Sequence, residues 1–160
     1  MKVAVIGQGY VGLTVALYAS KKNQVIGFDL NETLVGKLNL GISHVEGLDS
    51  SLLAEALAGG QYKATIQAEE INGAEIVVIA VPTPLDESRN PDLKYIKSAC
   101  EIIAKHLNND ALIINESTSY PGTVRGCIKP IIEKMAPSRN HRYSVSPERV
   151  ETGRVDWNQT

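Results

Sequence analysis

The sequence predicts an α/β protein built on one doubly wound parallel sheet. Two observations carry this prediction. Short apolar runs, as expected of strands buried on both faces, alternate along the chain with patterns of helical period. The first of these runs leads directly into a glycine-rich turn and a helix. Strands that alternate with helices pair in parallel through right-handed crossovers. A chain of 160 residues is long enough for one domain with its own core and too short for two ordinary ones, so we expect a single domain.

The predicted elements follow one another in a regular order. Apolar runs predict strands at 3–6, 24–28, 76–81, 111–114 and 143–145, with a less clear strand at 64–66. Helical periodicity predicts helices at 11–21, 31–40, 50–57, 92–107 and 121–135. Gly41 is placed to end the second helix, and Pro130 is expected to kink or split the last one.

Composition and charge exclude several classes of protein. The formal net charge is −2, which gives no electrostatic argument for a nucleic-acid or anionic-membrane partner. No apolar run approaches the roughly 20 residues of a membrane span, so we expect a cytoplasmic protein with no membrane partner. The three histidines are scattered, and no metal site is predicted. Cys100 and Cys127 lie among apolar neighbours at helical spacing, and we interpret them as core residues.

The glycine motif after the first strand indicates a dinucleotide-binding site in a Rossmann-type fold. The motif is Gly7-Gln8-Gly9-Tyr10-Val11-Gly12. Gly7 permits the tight turn, Gly9 lets the backbone approach a pyrophosphate, and Gly12 lets the helix pack closely on the strand. The N-terminus of the helix offers unpaired N–H groups to the phosphates, so Tyr10 and Val11 are also predicted to contact the cofactor.

Asp29 supplies the acidic residue that this kind of site requires at the end of the second strand. A carboxylate there accepts hydrogen bonds from the adenosine ribose hydroxyls and repels a 2′-phosphate. No arginine follows nearby to accept such a phosphate, so the sequence favours NAD over NADP. The alternative interpretation is a glycine turn followed by an ordinary surface aspartate.

Unusual segments follow three further strands. They are Pro82-Thr83-Pro84, the stretch NESTSYPGT from Asn115 to Thr123, and Ser146-Pro147-Glu148-Arg149. Ligands of open parallel sheets bind outside the carboxyl ends of the strands, so these segments are expected to share one crevice with the glycine turn. Each segment also has a local explanation, which is a stiff loop, a helix cap before Pro121 and a solvated ion pair, respectively.

In this combination and order, the motifs resemble those of the UDP-glucose/GDP-mannose dehydrogenase family. The resemblance rests on 7–13 (GQGYVGL), 81–84 (VPTP), 116–123 (ESTSYPGT) and 146–150 (SPERV), and it covers nearly the whole chain. The forms of the last two segments favour the branch that oxidises UDP-N-acetylglucosamine or UDP-N-acetylmannosamine. Thr152 stands where members that act on UDP-glucose often carry glutamate.

The resemblance implies a four-electron oxidation of a UDP-sugar in the synthesis of polysaccharide precursors. The C6 alcohol passes hydride to NAD⁺, a cysteine adds to the aldehyde, a second NAD⁺ oxidises the adduct, and water releases the uronate. The residues implied at the cofactor are Pro82, Thr83, Ser117 and Thr118, with Thr83 and Thr118 near the nicotinamide half. Thr118 is further implied to orient the catalytic water. Glu148 is implied in acid–base work, and both Glu148 and Arg149 are implied at the substrate.

The cysteine nucleophile of that family, with its lysine and asparagine partners, matches no residue of this chain. In the family these residues come from a central helix and a C-terminal domain. We therefore expect residues 1–160 to be the NAD-binding domain of a longer, homo-oligomeric protein and to be inactive alone. Three alternatives stay open: a UDP-glucose dehydrogenase, a dehydrogenase of the β-hydroxyacid or 6-phosphogluconate type, and a nucleotide-binding module without chemistry.

Overall fold

The computed structural model describes residues 1–146, except for the side chain of Ser50. Its strands are β1 (Lys2–Ile6), β2 (Gln24–Phe28), β3 (Tyr62–Thr65), β4 (Ile76–Ile79), β5 (Leu112–Asn115) and β6 (Arg142–Val145). They form one parallel sheet in the order β3-β2-β1-β4-β5-β6. Because the chain runs outward from β1 in both directions, a crevice opens at the carboxyl edge between β1 and β4.

The helices cover both faces of this sheet. They are α1 (Tyr10–Ser20), α2 (Glu32–Asn39), α3 (Ser50–Ala58), α4 (Lys94–His106) and α5 (Lys129–Met135), with a 3-10 turn at Ala68–Ile71 and a π-helical turn at Val124–Ile128. Successive residues of β1 alternate between two cores: Val3 and Val5 pack on the side of α1 to α3, and Ala4 and Ile6 pack on the side of α4 and α5. The predicted doubly wound sheet is confirmed.

Cys100 and Cys127 are buried free thiols in the core beneath α4 and α5, as their apolar neighbours predicted. Burial raises the pKa of the Cys100 thiol to about 12, so the group remains protonated at neutral pH. These two cysteines therefore act as core residues.

The last helix changes character ahead of Pro130, where a kink or split was expected. Proline lacks an N–H group, and its ring crowds the carbonyl four residues earlier. The backbone widens there into the π-helical turn, and the N–H group of Lys129 bonds to the carbonyl of Val124. The α-helical part begins at Lys129, so Pro130 lies in its first turn.

Candidate dinucleotide-binding site

A cavity of about 860 Å³ opens at the carboxyl edge of the sheet. Five segments form its walls: the glycine turn with the start of α1, the residues after β2, the segment after β4, one face of α4, and the segment after β5. Nine of the predicted cofactor contacts line it, namely Gly7, Gly9, Tyr10, Val11, Asp29, Pro82, Thr83, Ser117 and Thr118. The structure thus brings together residues that are widely separated in the sequence.

The three glycines of the turn differ in what surrounds them. Gly7 has a φ of +90°, and a Cβ atom there would lie 2.5 Å from the carbonyl oxygen of Ala80. Apart from its chain neighbours, a Cβ atom on Gly9 would meet no atom of the described part of the chain within 4 Å, so this glycine keeps open a space at the cavity wall. A Cβ atom on Gly12 would collide with the carbonyl of Gly7. Gly12 lies outside the lining and allows α1 to pack closely against the carbonyl of Gly7, whereas the motif predicted close packing of the helix on the strand.

Asp29 lies at the end of β2 with both carboxylate oxygens held by main-chain donors. Oδ2 accepts the N–H of Gln8 at 2.7 Å, and Oδ1 accepts the N–H of Asn31 at 2.9 Å. The side chain is half-buried at the cavity wall. The two main-chain hydrogen bonds orient the carboxylate. Because each carboxylate oxygen has two lone pairs, the group can still accept hydrogen bonds from a ligand hydroxyl.

Ser117 joins the segment after β5 to the end of β4. Its hydroxyl accepts the N–H of Val81 at 2.9 Å and donates to the carbonyl of Ile79 at 3.3 Å. Only 7% of the residue is exposed, and no helix is capped by its side chain. The local explanation as a helix cap therefore does not apply to Ser117. Its hydroxyl instead fixes the two segments that carry Thr83 and Thr118.

Asn115, Gln8 and Tyr62 are buried polar residues that support the site from outside the cavity, a role that was not predicted for them from the sequence. The side chain of Asn115, at the end of β5, donates to the carbonyl of Ser117 at 2.9 Å. Gln8 and Tyr62 are buried beneath the glycine turn and bond to each other. One signal was present in the sequence, since Gly27 interrupts a strand where a glycine often marks a close approach.

The cavity is suited to a ligand that combines phosphates with flat apolar parts. Its lining includes apolar side chains of Leu34 and Ile102 and the ring of Tyr95. Among the described residues, no lysine or arginine lines it, so phosphates would be held by main-chain N–H groups at the start of α1. NAD, with a pyrophosphate between two nucleosides, fits this combination.

The remaining predicted site residues, Glu148 and Arg149, lie outside the described residues. Within residues 1–146 no group of histidine, cysteine, aspartate and glutamate side chains is arranged to hold a metal ion. No helix in that part of the chain has the length and apolar character needed to cross a membrane.

A parallel sheet with GxGxxG at its switch point and an aspartate at the end of the next strand defines a dinucleotide-binding domain. A model of the UDP-glucose/GDP-mannose dehydrogenase family, NAD binding domain, matches residues 1–157. The chain belongs to this family and is its NAD-binding domain. The resemblance predicted from the four motifs, and the prediction of NAD as the cofactor, are thereby confirmed.

The chain is similar to several known members of the family. UDP-N-acetyl-D-glucosamine 6-dehydrogenase of Pseudomonas aeruginosa is 36% identical over 156 residues, which are 96% of this chain and 36% of that protein. UDP-N-acetyl-D-mannosamine dehydrogenase of Campylobacter jejuni is 40% identical, with 96% of this chain and 40% of that protein covered. The solved UDP-D-ManNAc dehydrogenase from Pyrococcus horikoshii has a TM-score of 0.89 at 34% identity, covering 98% of this chain and 38% of that one. The chain thus spans well under half the length of these relatives.

Proposed function

We propose that this domain serves a nucleotide-sugar 6-dehydrogenase that oxidises the C6 alcohol of a UDP-N-acetylhexosamine to the carboxylate. One observation carries the proposal: Asp29, the glycine turn, Thr83 and Thr118 line one cavity, although they come from four separate parts of the chain. The relatives named above support the class of sugar. We further propose that the whole protein is a cytoplasmic homo-oligomer that contains a central helix and a C-terminal sugar-binding domain.

Each wall of the cavity is proposed to contact a different part of NAD. Asp29 accepts the hydroxyls of the adenosine ribose, and the N–H groups of the glycine turn and of the first turn of α1 hold the pyrophosphate. Pro82, Thr83, Ser117 and Thr118 form the nicotinamide end. When bound there, NAD supplies the oxidising power by accepting hydride from the sugar.

The acid–base chemistry is proposed to rest on two residues of this chain. Thr118 is exposed at the cavity wall, where its hydroxyl is free to orient a water molecule. Glu148 serves as the carboxylate that moves protons when the product is released, and Arg149 lies beside the substrate. A cysteine from the remainder of the protein forms the covalent adduct with the sugar.

The test is an assay of the full-length protein with UDP-N-acetylglucosamine, UDP-N-acetylmannosamine and UDP-glucose. We expect one of the two acetamido sugars to give two NADH per sugar oxidised, and Glu148→Gln to lower kcat by roughly 100-fold. Turnover of UDP-glucose alone would contradict the proposed sugar class. NAD binding without turnover of any UDP-sugar would instead support a module without chemistry.

A further inference from the structure

A buried glutamine lies directly beneath the glycine turn. Gln8 has no exposed surface, although glutamine is usually found at protein surfaces. Its side-chain amide donates to the carbonyl of Val5 at 2.9 Å and to that of Gly7 at 3.1 Å. The side chain therefore ties the turn to the strand that leads into it.

Tyr62, on β3, supplies the remaining hydrogen bond of this buried side chain. The tyrosine is only 2% exposed, and its hydroxyl donates to Oε1 of Gln8 at 2.8 Å. The bond crosses β2 at Gly27, where a Cβ atom would lie 2.6 Å from the side-chain carbonyl carbon of Gln8 and 2.8 Å from the hydroxyl of Tyr62. A glycine inside β2 thus leaves the space that the bond needs.

The main chain of Gln8 carries this arrangement to Asp29. Its N–H group donates to Oδ2 of Asp29 at 2.7 Å, so the peptide fixed by the buried side chain also orients the carboxylate. Neither Gln8 nor Tyr62 lines the cavity. Burial, followed by the charge of Asp29, raises the pKa of Tyr62, so its hydroxyl remains a donor at neutral pH.

We propose that Gln8 and Tyr62 are a buried positioning pair that sets the Asp29 carboxylate for the ribose of NAD and against the 2′-phosphate of NADP. The proposal rests on the proposed role of Asp29 as the ribose contact. Neither residue lines the cavity, so the pair affects the choice between NAD and NADP through Asp29. It connects β3, at the edge of the sheet, with the cofactor crevice.

The first experiment is the substitution Tyr62→Phe, with NAD and NADP affinities measured by calorimetry. The change removes one hydroxyl and leaves Oε1 of Gln8 buried without a donor. We expect NAD to bind roughly tenfold more weakly, with a smaller loss for NADP, so that the preference for NAD falls by about fivefold. Equal weakening of NAD and NADP, which is what a general loss of folded protein produces, or no change in the preference would overturn the proposal.

Tyr143→Phe is the matched control. The hydroxyl of Tyr143 is also buried, but it has no hydrogen-bond partner among the described contacts, and it lies in the other core. We expect its removal to leave the NAD affinity and the NAD preference unchanged. An equal loss of preference in both variants would overturn the proposal.

A double-mutant cycle separates this inference from the role of Asp29. In an Asp29→Ala background, Tyr62→Phe should change the cofactor preference by less than about twofold, because the group being positioned is gone. An undiminished effect would show that Tyr62 acts by another route. If Asp29→Ala alone leaves the preference unchanged, the assignment of Asp29 fails instead.

Hydrogen exchange in the unsubstituted protein provides a test that does not depend on a variant folding. In the absence of cofactor, the side-chain amide protons of Gln8 should exchange slowly, since both donors are bonded and buried. Exchange as fast as that of the exposed Gln61 side chain would contradict a preorganised pair.

Discussion

The hydroxyl of Ser117 accepts a hydrogen bond from the main-chain N–H of Val81 at 2.9 Å and so connects the ends of two neighbouring strands. The apolar sequence continues through Val81, but β4 ends at Ile79. The side chain of Ser117 takes the place of a strand partner for Val81. This contact holds the segments that carry Thr83 and Thr118 side by side at the cavity.

Replacing Ser117 by alanine is expected to damage both stability and cofactor binding. The N–H of Val81 loses its acceptor in a part-buried position, so the free energy of unfolding should fall by about 1–3 kcal/mol. The KM for NAD should rise, because the segments proposed to form the nicotinamide end of the cavity are no longer joined. Urea unfolding and steady-state kinetics of the full-length protein measure the two effects. Ser88→Ala, at an exposed position, should change neither.

Alanine at Gly9 is expected to weaken NAD binding without a change in stability, whereas alanine at Gly12 is expected to lower stability. At Gly9 the new methyl group meets no atom of residues 1–146 within 4 Å beyond its chain neighbours, so the melting temperature should stay the same, but NAD should bind at least about tenfold more weakly. At Gly12 the methyl group collides with the carbonyl of Gly7, and stability should fall by roughly 1–3 kcal/mol. Thermal melts and NAD titrations of both variants test the contrast. Equal melting temperatures with equal NAD affinities would contradict it.

The stability of the domain is expected to fall in mild acid because of His141. Its Nδ1 accepts the N–H of Ala111 at 3.2 Å, and its Nε2 is buried with no hydrogen-bond partner among residues 1–146. Burial lowers the pKa of His141; the charge of Asp110 opposes this effect, that of Arg139 adds to it, and that of Glu133 opposes it. The unfolded chain therefore takes up the proton first, and stability is lost as the pH falls through about 6.5, the value for an unperturbed histidine.

Urea unfolding at a series of pH values between neutral and mildly acidic tests this expectation. His141→Gln should flatten the dependence over that range, whereas His44→Gln, at an exposed position, should preserve it. A dependence that survives the removal of His141 would assign the effect to another group.

Thr118→Val is expected to lower kcat of the full-length protein by about 10- to 100-fold while the protein remains folded. Valine has nearly the shape of threonine but lacks the hydroxyl proposed to orient the catalytic water. The exposed position of Thr118 means that little packing changes. Single-turnover measurements of NADH formation would show which of the two oxidation steps is slowed. Thr33→Val, on the exposed side of α2, is the control, and a full rate in both variants would remove Thr118 from the mechanism.

The parts of the site that were predicted from sequence are those with a local cause. Gly7, Gly9 and Gly12 act through a turn and a helix start within six residues, and Asp29 follows from its place at a strand end. The bond between Gln8 and Tyr62 joins residues 54 positions apart, and no local pattern specifies it. The one sequence signal was Gly27, inside β2, where the side chains of Gln8 and Tyr62 approach the strand closely.

The predicted elements were largely confirmed, and their ends shifted for identifiable reasons. Pro130 predicted a break in the last helix, but the form of the break, a π-helical turn, depends on how the freed carbonyl groups are satisfied. The predicted end of β4 was wrong by two residues, because the side chain of Ser117, in the segment after β5, accepts the N–H of Val81 in place of a strand partner. The predicted roles of Glu148 and Arg149 stay predictions.

The most direct test of the proposed crevice is the titration of the isotope-labelled domain with NAD, followed through the chemical shifts of its backbone amides. We expect the largest changes at Gly9, Tyr10, Asp29, Thr83 and Thr118, all on one edge of the sheet. Residues at the opposite edge, such as Asp110 and Arg142, should change little. Changes centred on that opposite edge, or no saturable change at the five named residues, would contradict the assignment of the crevice as the NAD site.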